Sequence, residues 1–151
     1  YIVFIMDQIN NNDSEIYKNA IKRTEHIYIK LEKSKMNCLV SDLKLVGTEK
    51  DILAHLKGGP SKNLINSFFN YTTDKCDFCK IAKDKLVQLD RAHCNKLNCD
   101  RASLLNKSIK KHFIDEITPI KVKDILNDFI KFHNEIPLFI LCKKCHREYD
   151  K

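Results

Sequence analysis

The apolar and polar positions divide the chain into short amphipathic segments. Ile16, Tyr17, Ala20, Ile21, Ile27, Tyr28 and Leu31 recur at helical spacing behind Ser14, a natural N-cap, while Lys18, Lys22, Arg23, Glu25, Lys30 and Lys33 lie opposite. The spacing predicts an amphipathic helix running to about Glu32. Thr48 and Asp51 open a second helix through Ile52, Leu53 and Leu56, on which His55 reads as a packing residue, and Gly58-Gly59-Pro60 stops it. Ser61 opens a third, through Leu64, Ile65, Phe68 and Phe69. Leu86 to His93 alternates as a strand, with Val87, Leu89, Arg91 and His93 on one face and Gln88, Asp90 and Ala92 on the other. Asp100 to Lys111 and Lys121 to His133 read as helices, the second turning Val122, Ile125, Leu126, Phe129 and Ile130 inward. Ile136 to Leu141 is a short apolar strand. The fold class this predicts is α+β and mainly helical, with a helical N-terminal region over residues 1–71 and a C-terminal region over 72–151 that carries a helical insertion at 95–136.

Composition adds a partner class. At 151 residues the chain is long enough to bury a real core, and 43% hydrophobic with 31% charged residues argues against disorder. A formal charge of +7 and a pI near 9.0 favour an anionic polymer over an acidic or neutral partner, although lysine-rich solubility produces the same numbers. Arg101, Lys107, Lys110 and Lys111 form the most one-signed stretch, a helix face suited to phosphates. The second and third helices, joined at glycines, have the outline of a helix-turn-helix in which Ser61, Lys62, Asn63 and Asn66 would face a groove; a plain helical hairpin in the core is the other reading. No apolar run approaches the roughly 18 residues needed to cross a bilayer, so no membrane partner is expected. Tyr1 to Met6 is apolar but short, lacks a leading basic region and meets Asp7 at once.

The cysteines change the picture most. Seven are present, an odd number, and four of them sit in two pairs with two residues between partners: Cys76-Asp77-Phe78-Cys79 and Cys142-Lys143-Lys144-Cys145. Each pair makes a tight knuckle that offers two thiolates, and together they complete a closed tetrahedral site for structural zinc. That usage implies a reducing, intracellular, cytoplasmic setting rather than disulfides. Cys94 and Cys99, with four residues between them, are the minor alternative ligand pair. His146 and Asp150, four apart just after the second knuckle, would share one helix face and suit a second, harder metal ion.

Cys76, Cys79, the stretch Leu89-Asp90-Arg91-Ala92-His93 and the stretch Leu141-Cys142-Lys143-Lys144-Cys145-His146-Arg147-Glu148-Tyr149-Asp150 together resemble the HNH, or ββα-metal, nuclease family, over about half the chain. The resemblance implies a ββα-metal unit in which His93 is the general base that takes a proton from water. His146 and Asp150 would hold one magnesium or manganese ion against the scissile phosphate. The sequence departs from the family pattern at three places. Ala92 stands where many members carry a metal ligand, leaving Asp90 as a substitute. The segment from Cys94 to Ile136 is longer than usual, and Asn134 is the nearest residue to the asparagine that orients the base. The activity implied is a metal-dependent endonuclease on double-stranded DNA, in the manner of a small type II restriction enzyme, or of a homing or phage-type nuclease. A symmetric homodimer is expected with it, since one such motif cuts one strand. A non-catalytic zinc-ribbon module that binds nucleic acid is the competing class.

Overall fold

The computed structural model describes residues 14–23, 43–58, 61, 74–134 and 136–151, and the elements below are those of the described residues. Helix α1 covers 15–23 and begins as the sequence predicts, with the Ser14 hydroxyl accepting from the Tyr17 amide at 3.1 Å. Its expected continuation to Glu32 lies outside the described residues, as do Lys62, Asn63 and the rest of the third helix. Strand β1 is the two-residue Lys44–Leu45. Helix α2, Glu49–Lys57, is capped by the Thr48 hydroxyl accepting from the Asp51 amide at 3.1 Å. Then follow β2 (Leu89–His93), α3 (Arg101–His112), β3 (Ile120–Lys121), α4 (Val122–Lys131), β4 (Leu138–Cys142) and α5 (Lys143–Tyr149). The fold is therefore α+β, with five helices and two small antiparallel sheets among the described residues.

Strand β2 is shorter than its alternating pattern predicts. The Asp84 carboxylate accepts from the Leu86 and Val87 amides at 2.7 and 2.8 Å, closing a turn that leaves Leu86 94% exposed. Pairing with β4 begins only at Leu89, which faces Cys142, and ends with His93 facing Leu138. The β1–β3 pair, Lys44 with Lys121 and Leu45 with Ile120, had no sequence signal, because two residues are too few to show a period.

Two apolar clusters share the interior. One joins Ile52 and Leu56 of α2 to Leu104, Leu105 and Ile109 of α3 and to Ile125, Phe129 and Ile130 of α4. The other surrounds the knuckles with Ala20, Phe78, Ala92, Phe139, Leu141 and Tyr149. Neither cluster respects the boundary at residue 71: α2 packs into the first and α1 into the second. Strand β4 runs between them, with Leu138 in the first cluster and Phe139 and Leu141 in the second, so all five of its residues are buried. Burial on both faces is why its sequence is a continuous apolar run rather than an alternating one.

Polar side chains pin the helical insertion. Asp128 is buried and takes His112 and Lys111 of α3, the lysine at 3.3 Å; the Ser108 hydroxyl donates to the Ile125 carbonyl. His55, expected to pack, is exposed instead, because Ile52 and Leu56 alone supply the buried face of α2.

Candidate metal centre and adjoining cleft

The antiparallel β2–β4 pair and helix α5 form a continuous strand–strand–helix unit, and the first knuckle docks onto it. Cys76 and Cys79 are brought round by a turn in which Lys80, at φ 63°, donates its amide to the Cys76 carbonyl at 3.1 Å. Asp77 inside that turn reaches β4. Its amide donates to the Ile140 carbonyl at 2.7 Å, and its carboxylate accepts from the Ile140 amide at 2.6 Å. Arg23 of α1 closes a two-pronged pair on the same carboxylate at 3.1 and 3.2 Å. Neither residue stood out in the sequence: Arg23 was placed on the solvent face of its helix, and Asp77 sat unremarked between two cysteines.

The second knuckle spans the junction of β4 and α5. As a result the sulfurs of Cys76, Cys79, Cys142 and Cys145 all lie within 4.8 Å of one another. A zinc tetrahedron with bonds of about 2.3 Å has an edge of about 3.8 Å, and Cys79 and Cys142 stand 3.8 Å apart. The donor set fits zinc. Burial pushes the Cys76 thiol up, and the nearby Cys142 adds to it. Burial pushes Cys142 up as well, but hydrogen bonds from the Cys145 backbone and the neighbouring sulfurs outweigh it and the thiol falls below its ordinary range. Cys145 is raised, by burial first and then by Cys142. One thiolate favoured beside others disfavoured is the pattern of like charges crowded together, which a divalent cation relieves. Cys94 and Cys99 stand apart from the four sulfurs and neighbour each other instead. All six described cysteines are free.

A cleft of about 550 Å³ opens beside this unit, lined by Arg91, His93, Asn95, Asp100, Ser103, His146 and Asp150 among others. His93 closes β2, and His146 lies on α5. Burial pushes His93 down to about 4, with the Arg101, His146 and Arg91 charges adding and Asp100 opposing. The ring of His146 lies between two carboxylates: Asp90 stands 3.2 Å from Nδ1 and Asp150 3.2 Å from Nε2. Asp90 reaches it because α5 covers the strand face opposite His93. The two acids meet opposite ends of the ring, so the trio does not converge on one point. Among the described residues, the four cysteines are the group of three or more that does. The loop after His93 is latched to α5, the Asn95 amide donating to the Tyr149 hydroxyl and its side chain to the Tyr149 carbonyl, both at 3.0 Å.

The residue that reaches the His93 ring is His133, one position before Asn134. The two Nε2 atoms are 3.1 Å apart. Histidine after an apolar helix looks like packing in the sequence, and nothing in its spacing points forty residues back.

The expected basic face of α3 is partly committed. Lys111 pairs with Asp128, and the Lys107 ammonium sits 4.3 Å from the centre of the Phe132 ring, whereas Lys110 is exposed. Arg101, in the first turn of α3, bears on His93 rather than on the far end of that face. Ser61 is a correction: it is fully buried, its hydroxyl turned to the Lys57 and Gly58 carbonyls at 3.3 and 3.4 Å, and so it cannot read a groove.

Comparison of the chain with protein-family models, with curated proteins and with solved structures finds no match. Fold and site define an α+β protein with four clustered thiols that could hold a metal ion. No helix of the described residues is long and apolar enough to cross a membrane.

Proposed function

We propose that this protein is a metal-dependent endonuclease of the HNH, ββα-metal kind that hydrolyses phosphodiester bonds of double-stranded DNA, acting as a homodimer in the manner of a restriction enzyme. One observation carries the reading. A strand–strand–helix unit with four clustered thiols holds an imidazole at a strand end, His93, and a helix imidazole with a carboxylate, His146 and Asp150, on the walls of one cleft. A zinc-ribbon module that only binds nucleic acid has no need of all three.

In this reading zinc sits on the four sulfurs and does no chemistry. His93 takes the proton from the attacking water through a neutral imidazole. The Asp150 carboxylate is an oxygen donor of the kind magnesium or manganese accepts alongside phosphate oxygens and water, and His146 Nε2 stands beside it as a nitrogen donor. Bound there, the ion supplies charge neutralisation at the scissile phosphate and the departing oxygen. Asp90, on the other ring nitrogen, orients the imidazole, as a carboxylate behind a metal-binding histidine commonly does. It is thereby assigned to positioning rather than ligation. Arg91 and Arg101 bring positive charge to the cleft, and Lys110 extends it along α3.

The test is cleavage of supercoiled plasmid by zinc-loaded protein with magnesium or manganese, followed by sequencing of the ends. Wild type should cut and His93→Ala should not, with DNA affinity unchanged. Binding without cutting by wild type would replace the nuclease with the binding module.

A further inference from the structure

His133 is buried, 1% exposed, at the turn that follows α4. Its ring is held on two sides. Nδ1 lies 2.7 Å from the Phe129 carbonyl, and the Phe129 ring meets it edge-on at 4.8 Å and 89°. A carbonyl oxygen can only accept, so Nδ1 carries the hydrogen. Burial, reinforced by His93, drives the ring far toward its neutral form. A neutral imidazole with its hydrogen on Nδ1 has a lone pair on Nε2. That atom faces His93 Nε2 at 3.1 Å, so the hydrogen between the rings belongs to His93.

We infer that His133 is a positioning residue that locks His93 in its Nε2–H tautomer and leaves the His93 Nδ1 lone pair free to act in the cleft. No protein group takes Nδ1 among the described residues, and His93 lines the cleft wall. The arrangement also suits the step that would follow. When Nδ1 takes a proton, the imidazolium still donates through Nε2 to a neutral acceptor, so the new charge is met by a lone pair rather than by a second N–H. His133 comes from the long insertion, which thereby contributes to the site as well as to the core. The purpose of the tautomer rests on the nuclease reading; the tautomer itself does not.

Two-bond 1H–15N correlation spectra of the full-length, zinc-loaded protein near neutral pH read the protonation of each ring nitrogen, with His93→Ala and His133→Phe supplying the assignments. Wild type should show His93 protonated on Nε2 alone and His133 on Nδ1 alone. In His133→Phe, His93 should exchange between tautomers, and kcat on plasmid should fall about 10- to 100-fold with KM unchanged. His133→Gln, whose amide oxygen accepts from Nε2–H, should restore the tautomer and most of the rate. A wild-type His93 protonated on Nδ1 overturns the inference, with no variant needed. So does a His133→Phe protein that retains zinc and keeps the His93 tautomer. If the tautomers are as expected but wild type cuts no plasmid, the pairing stands and the nuclease reading falls.

Discussion

Replacing Asp77 by alanine should destabilise the protein sharply without removing a metal ligand. The carboxylate accepts from the Ile140 amide at 2.6 Å and from both prongs of Arg23 at 3.1 and 3.2 Å, in a site where the two side chains are 15% and 19% exposed. Alanine strands a buried backbone donor on β4 and leaves a guanidinium without its counter-charge. Hydrogen bonds to charged groups contribute about 1.5–3 kcal/mol, and breaking a buried pair costs about 3–5. Residual solvent access screens the pair, so the lower part of that range applies, and the expected loss is about 3 kcal/mol. For a chain of this size that is a fall of roughly 6–12 °C in Tm. Asp77→Asn keeps an acceptor for Ile140 but loses the charge, and should cost about half as much. A double-mutant cycle with Arg23→Ala isolates the pair and should give a coupling of about 1–2 kcal/mol. Urea denaturation at one fixed free zinc concentration is the assay, because zinc adds stability by mass action. Zinc content should stay at one per chain in every variant. If Asp77→Ala unfolds within about 0.5 kcal/mol of wild type, the knuckle is not held to β4 by this carboxylate, and the account of how the thiols are gathered fails.

Other outcomes follow from the same geometry. Elemental analysis should find one zinc per chain, and Cys76→Ser with Cys142→Ser should abolish it; zinc retained in that double variant would refute the four-thiol site. Asp150→Ala should raise the magnesium concentration that cleavage requires, so that excess metal restores it, whereas Asp90→Asn should lower kcat without that rescue; identical behaviour of the two would remove the distinction between ligand and orienter. His93 and His133 have folded-state pKa values near 4 and 3, below the ordinary 6.5, so the unfolded chain binds more protons as pH falls. Stability should be fully present above about pH 6.5 and decline below it by up to about 1.4 kcal/mol per pH unit for each ring, with His133→Phe removing part of that slope in acid denaturation. Lys110→Ala should weaken DNA binding at all sequences and flatten its salt dependence by about one unit, as filter binding across a salt series would read.

Local chemistry made much of this protein legible in its sequence. Ser14, Thr48 and Asp100 announce helix starts because a short polar side chain there has one near partner, an amide three residues on, and all three make that bond. The four cysteines could be grouped from spacing because a knuckle is a local shape. His93, His146 and Asp150 were grouped by the resemblance to the HNH family, and they line one cleft. What the sequence left open depended on which faces meet. Asp90 was on the wrong side of its strand until α5 packed over that side. Ser61 looked like a reading residue until burial turned its hydroxyl to the Lys57 and Gly58 carbonyls. Lys107 and Lys111 looked like a free basic face until α4 brought Phe132 and Asp128 against them. Arg23 and Asp77 are 54 residues apart, and His93 and His133 are 40 apart. Contacts at such range leave no period and no motif in a single chain, because they are made by the packing of whole elements and not by the residues' neighbours. The sequence alone thus determined the knuckles and the caps; only the tertiary structure decided which side chains share the cleft and which partner each of them would meet.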